Sequence, residues 1–324
     1  QGIPELRSAI AEKLRQKNAM DTSADEVIVT NGLTQASFAA FMAFLDEGDE
    51  ALLLAPYYPQ HIGKAELAGA KVTIAPLDTA NGFSINRALL EPHINPSTKV
   101  IALINPCNPT GRVYTRDELQ IIADLAQEHD LLVLSDEVYE EITYDNAAHI
   151  SIASLPGMKE RTISMFAFTK AYAMDGWRLG YIAADQSLIG PMMKITTNEV
   201  THVNTFVQHG ALAALTGDPA ILQGMVDRDR ERRDLVVSRL NQMPGVTCAP
   251  VEGTIYAFPD ISATGLTAQD CADMLLAATG VVVEAGSFYG DAGQGHLRVC
   301  FGCADMDVLH DAMDRMQRFF NDLQ

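Results

Sequence analysis

Short apolar runs alternating with amphipathic stretches constrain this chain more than any other feature. The runs are "EVIVT" (26–30), "ALLLAP" (51–56), "KVTIAP" (71–76), "KVIALINP" (99–106), "LLVLSDE" (131–137), "TISMFAF" (162–168) and "GYIAA" (180–184). Helical periodicity falls between them, over 34–46, 58–69, 116–129 and 187–198. Near-continuous apolar strands belong to a sheet covered on both faces, and strand–helix alternation makes such a sheet parallel. The expectation is an α/β fold with a mostly parallel central sheet flanked by helices.

The last third reads differently. A long polar helix starts near Asp218, then come short strands, a helix over 267–277 and a closing amphipathic helix over 305–320. This pattern predicts a large unit over 1–217, whose first helix borders the smaller one. A connecting helix over 218–242 then leads to a small α+β unit over 243–324. A chain of 324 residues has the length for two such units.

Composition narrows the function classes. No apolar run approaches the roughly 20 residues of a membrane span. A formal charge of −19 disfavours nucleic acid and anionic membrane as partners. Five scattered cysteines read as free thiols in a reducing compartment, so a cytoplasmic location is expected. Cys300 and Cys303 form a lone CxxC with no second pair, which predicts two small strand residues and no metal. The chain opens "QGIPELRSAI" without an initiator Met, entering a helix that carries Leu6, Ile10 and Leu14 on one face. The start of the protein is therefore expected upstream, and targeting is not read from this end.

In a doubly wound sheet, chemistry collects beyond the carboxyl ends of the strands. "NGLTQA" (31–36) sets Gly32 and Thr34 at a strand-to-helix turn, where free N–H groups and a hydroxyl suit a phosphate or simply form a turn. Asp136 ends a very apolar strand, where a buried carboxylate either holds a protonated ring nitrogen or caps a turn. Tyr139 follows three residues later. "NPCNPTG" (105–111) is a stiff turn that can aim Asn108 inward, and "PYYPQH" (56–61) offers aromatic rings to a flat ligand or to solvent.

Lys170 stands directly after the sixth apolar run, with Arg178 eight positions on. It is either a surface lysine or an amine poised for a Schiff base with an aldehyde. Arg298 lies inside the apolar "HLRVC", where a buried guanidinium demands an anion: a ligand carboxylate or an acid of the fold. Taken together, these groups form the inventory of a pyridoxal-phosphate enzyme acting on an amino acid.

The motifs "GIPELRSAIAEKL", "TNGLTQA", "PYYP", "NPCNPTGRVY", "SDEVYE", "FTKAYAMDGWRLGY" and "HLRVCFG" occur in an order and spacing that resemble the class I/II aminotransferases of fold type I, aspartate-aminotransferase-like. The resemblance implies a seven-stranded large domain, a smaller C-terminal domain, pyridoxal 5'-phosphate as cofactor and a homodimer with active sites at its interface. It assigns Lys170 to the Schiff base, Asp136 to the pyridine nitrogen, and Asn108 and Tyr139 to the ring hydroxyl. Tyr58 stacks on the ring; the Leu33 backbone, Thr34 and Arg178 cradle the phosphate; Arg298 clamps the substrate α-carboxylate.

The implied reaction moves an amino group from an L-amino acid to a 2-oxo acid, 2-oxoglutarate or pyruvate, by a ping-pong route in which Lys170 carries the Cα proton. Three departures stand out: Ala167 replaces a usual hydroxyl residue, Ala285 replaces a common proline, and the N-terminal segment of such enzymes is missing. The segment 194–208 holds Lys194 and His202 but no arginine, so aspartate and aromatic preferences are both open. A carbon–sulfur β-lyase of the same fold would keep every residue named. A non-catalytic cofactor-binding sensor domain of a transcription regulator is the alternative of another class.

Overall fold

The structure is a computed structural model that describes residues 1–323. All seven apolar runs become strands of one sheet: β1 (Val27–Thr30), β2 (Glu50–Ala55), β3 (Lys71–Pro76), β4 (Thr98–Ile104), β5 (Leu132–Asp136), β6 (Thr162–Ala167) and β7 (Gly180–Ala184). Their order is β1-β7-β6-β5-β4-β2-β3. Only β7 runs against its neighbours, β6 and β1.

Alternation along the strands supplies both faces of the sheet. Leu52 and Leu54 of β2 join Ile101, Leu103 and Val133 in one apolar layer. Ala51 and Leu53 join Val100, Ala102 and Leu134 in the other. Helix α2 (Gly32–Phe44) covers the second layer through Ala36, Ala40 and Phe41, with α3 (Gln60–Leu67) packed beside it. A single turn, α4 (Arg87–Leu90), and α5 (Arg116–Glu128) cover the first layer, where Leu119, Ile122 and Leu125 are buried. A capping box between Thr115 and Glu118 opens α5. Helix α6 (Gln186–Glu199), capped by Asp185, returns to the α2 side.

Two helices flank the sheet in ways the periodicity captured unevenly. Helix α1 (Pro4–Lys17) has the expected stripe: Leu6, Ile10 and Leu14 are fully buried against Val27, Phe166 and Tyr181. Helix α7 (Thr205–Thr216), packed on α1, has no counterpart among the periodic segments. Its sequence is apolar on several sides, so no single stripe marks it, though Asn204 caps it at the Phe206 N–H.

The C-terminal part builds a second core. Helix α8 (Pro219–Leu240) leads into β8 (Tyr256–Ala257), α9 (Ala268–Thr279), β9 (Glu284–Ala285), β10 (Leu297–Cys300) and α10 (Met306–Asp322). The short strands form an antiparallel sheet ordered β8-β10-β9. Val236, Leu240, Cys271, Leu275, Met313 and Phe320 are buried together beneath it. Among the described residues no helix is long and apolar enough to cross a membrane.

Ile10 is 0% exposed at the centre of the α1 stripe. Ile10→Ala should lower unfolding stability by about 2–5 kcal/mol through lost burial and the cavity left behind. Urea denaturation, with the midpoint shifted at constant slope, checks this.

Candidate active site

The loops leaving the carboxyl ends of β1, β2, β4, β5 and β6 meet β8, β9 and β10 around a cavity of about 400 Å³. Leu33 and Thr34, in the first turn of α2, form one wall. Asn31 occupies the cap position and Gly32 opens the helix at φ +74°, which makes Thr34 a first-turn residue with its N–H free of an intrahelical acceptor. A Cβ on Gly32 would lie 2.9 Å from Nη2 of Arg178, so the missing side chain lets that guanidinium approach the helix end. Arg178 is itself in the left-handed region and donates from Nη1 to the Asp175 carbonyl at 3.1 Å.

Asp136 closes β5 between Ile104 of β4 and Met165 of β6. It is 5% exposed, and its Oδ1 accepts the Val138 N–H at 3.1 Å. Among the described residues it has no ion pair. Burial therefore lifts its carboxyl to about 7, opposed by that N–H and by the charges of Lys64 and Lys170, while Glu137 adds to the rise. Lys170 borders the same cavity, half-buried, in the turn just after β6. Tyr139 and Tyr58 line it too, their phenols pushed up by burial first, with Asp136 contributing.

The far wall belongs to the C-terminal part. Arg298 Nη1 donates to Asn108 Oδ1 at 3.2 Å, and Nη2 pairs with Glu284 Oε2 at 2.7 Å. Its guanidinium lies 4.1 Å from the Tyr256 ring centroid. The acid of the fold anticipated for Arg298 is thus present, yet its buried Nε has no partner among the described residues. Tyr139 donates to the Tyr256 hydroxyl at 3.4 Å.

Nine expected residues border this cavity, and Gly32 shapes it from behind Arg178. Several others escaped the sequence reading. His61 and Lys64, on α3, follow the expected Tyr58 at three-residue spacing and also line the cavity. Lys64 is 7% exposed, with the Ser37 hydroxyl as its acceptor at 2.7 Å. Burial lowers its ammonium to about 8, and the nearby Asp136 opposes that fall. Burial, aided by Lys64, keeps His61 neutral down to about 3. Thr169, two residues beyond Ala167, also borders the cavity.

A sequence model of the family described as aminotransferase class I and II matches residues 1–316. The chain belongs to the class I and II aminotransferases. It is 41% identical to an aspartate aminotransferase of Pyrococcus abyssi, over 98% of this chain and 82% of that protein. It is 39% identical to aromatic-amino-acid aminotransferase 2 of Thermococcus litoralis, over 98% and 82% respectively. The crystal structure of an aromatic aminotransferase from Pyrococcus horikoshii superposes with a TM-score of 0.96 at 39% identity, covering 99% of this chain and 86% of that one.

Aminotransferases of this family use pyridoxal phosphate, and the residues present fit it. The cradle between Gly32 and Arg178 has no room for a Cβ, while the α2 end presents unpaired N–H groups. Asp136 brings a buried carboxylate to the cavity wall, and the Arg298 Nε–H awaits an acceptor.

The raised Asp136 value gives this aminotransferase a signed pH dependence. In the cofactor-free protein the folded state keeps this proton to about 7, whereas an unfolded chain releases it near 4. The folded state binds more protons between those limits, so the wild type loses stability as pH rises through them. Asp136→Asn does not titrate there and keeps an oxygen for the Val138 N–H. Its melting-temperature advantage over wild type should grow from about pH 5 to about pH 8 in cofactor-free samples. A constant gap in calorimetric scans would show that Asp136 stays ionised throughout.

Proposed function

We propose that this aminotransferase transfers the amino group of an L-amino acid to a 2-oxo acid by a ping-pong sequence, with pyridoxal 5'-phosphate held in the cavity described above. The observation that carries the reading is the convergence of Lys170, Asp136 and Arg298 on one cavity from three distant stretches of chain. When bound, the cofactor supplies an electron sink that acidifies the substrate Cα–H.

This chain's residues do the rest. Arg178, Thr34 and the Gly32 and Leu33 backbone bind the phosphate, and Tyr58 supports the ring face. Asp136 would keep the ring nitrogen protonated, and Lys64 stabilises the Asp136 charge. Asn108 and Tyr139 hold the ring hydroxyl. Arg298 fixes the substrate α-carboxylate and so aims its Cα–H at Lys170. The Lys170 amine would hold the cofactor and would serve as the base that takes the proton from the donor Cα and, in the reverse half, supplies one to the product Cα.

Organisation as a large unit over 1–217, a connecting helix over 218–242 and a small unit over 243–324 is supported by a core drawn mostly from residues 226–320. A homodimer is supported by the exposed apolar residues Val200 and Phe206 beside Asn31 at the α2 end, and by exposed Trp177 against Gly210 of α7. A cytoplasmic location agrees with five free cysteines. The aspartate and aromatic names of the relatives define the donors to try first, with 2-oxoglutarate or pyruvate as acceptor.

The test is an absorbance titration of the holoenzyme. The cofactor band should bleach with L-aspartate or L-phenylalanine and return with 2-oxoglutarate. In Lys170→Ala both phases should vanish, with a loss of at least about 10⁴-fold, while added cofactor still binds non-covalently. Release of ammonia without consumption of an oxo acid would indicate a lyase instead.

A further inference from the structure

Glu284 is the one acidic side chain that reaches the proposed carboxylate clamp among the described residues. In the β9–β10 ladder it stands directly opposite Arg298, so both side chains project to the same face of the sheet. Both line the cavity. Oε2 of Glu284 lies 2.7 Å from Nη2 of Arg298, and the same oxygen accepts the Tyr289 hydroxyl.

Guanidinium geometry gives this contact its consequence. An incoming carboxylate can bind in two ways, across Nε and Nη2 or across Nη1 and Nη2. Both forks use Nη2, the nitrogen that Glu284 holds. Glu284 fills neither fork, because Nε is buried without a partner among the described residues and Nη1 donates to Asn108. The resident acid thus neutralises the arginine through one oxygen and leaves its second edge unsatisfied.

The two partners also differ in freedom to move. The Arg298 side chain is 14% exposed and stacks on Tyr256, whereas the Glu284 side chain is 46% exposed. Exchange at Nη2 therefore moves the glutamate toward water and leaves the arginine in place.

We propose that Glu284 is a resident competitor for the substrate α-carboxylate at Arg298, and that its displacement sets the affinity of the pocket for amino and oxo acids. The proposal rests on the reading of Arg298 as the carboxylate clamp. Between turnovers the acid keeps a buried guanidinium paired, sparing the cost of a bare charge. A ligand must then offer a two-oxygen carboxylate to outcompete a tethered one-oxygen contact, so amines lacking a carboxylate gain nothing at this position.

The experiment compares wild-type holoenzyme with Glu284→Gln and Arg298→Ala. Two non-reacting probes, maleate and 3-phenylpropionate, are titrated by calorimetry, and KM and kcat are measured for the best donor. Glu284→Gln should bind both probes about tenfold more tightly and lower KM to match, with kcat within about twofold of wild type. Arg298→Ala should lose both probes. Equal or weaker binding in Glu284→Gln, alongside lost binding in Arg298→Ala, would overturn the competitor role alone, because Glu284 would then merely orient the arginine. Undiminished binding in Arg298→Ala would overturn the clamp itself, and the inference with it.

Discussion

The rest of the site depends on burying one carboxylate at the end of one parallel strand. Pairing of β5 with β4 and β6 carries Asp136 to the carboxyl edge of the sheet with neighbours on both sides. Burial strips most of its hydration there, and a single N–H bond from Val138 does not replace what is lost. The surroundings supply what is missing as charge: Lys64 reaches in from α3, and Lys170 follows β6. Two lysines and an acid thus border one cavity. The ionisations of Asp136 and Lys64 lean on each other, each charge opposing the shift that burial imposes on its partner.

A second dependence joins the two cores. The turn over 105–111 leaves β4, and its Gly111 carbonyl accepts the backbone N–H groups of Glu252 and Gly253. A Cβ on Gly111 would lie 2.8 Å from the Val251 side chain, so this approach tolerates no side chain. The same turn presents Asn108 to Arg298. The docking of the C-terminal part and the placement of Arg298 are consequently one structural fact. Movement of β10 relative to the large sheet would misplace Arg298 and loosen the Asn108 contact together.

Much of this was legible in the residues. The strands showed because side chains buried on both faces leave near-continuous apolar runs, and "LLVLSDE" and "TISMFAF" hold little else. Asp136, Lys170 and Arg298 showed because a charge inside or just after such a run needs a reason. Helix α7 did not show, since an apolar helix without a clear polar face has no stripe to detect. Lys64 did not show either: on α3 it looks like any helical lysine until α2 closes over it and leaves it only the Ser37 hydroxyl. Tyr256 and Glu284 sit on two-residue strands too short to carry a pattern.

By itself, then, the sequence determined the layer architecture, the positions where chemistry-bearing groups leave the sheet, and the family. Each of these follows from local periodicity and from motifs a few residues long. Tertiary structure alone decided which charges face each other: Glu284 with Arg298, Lys64 near Asp136, Arg178 over Gly32. The physical reason is that the strength of a charge pair depends on separation and burial. Both are fixed by sheet register and helix docking between segments far apart along the chain.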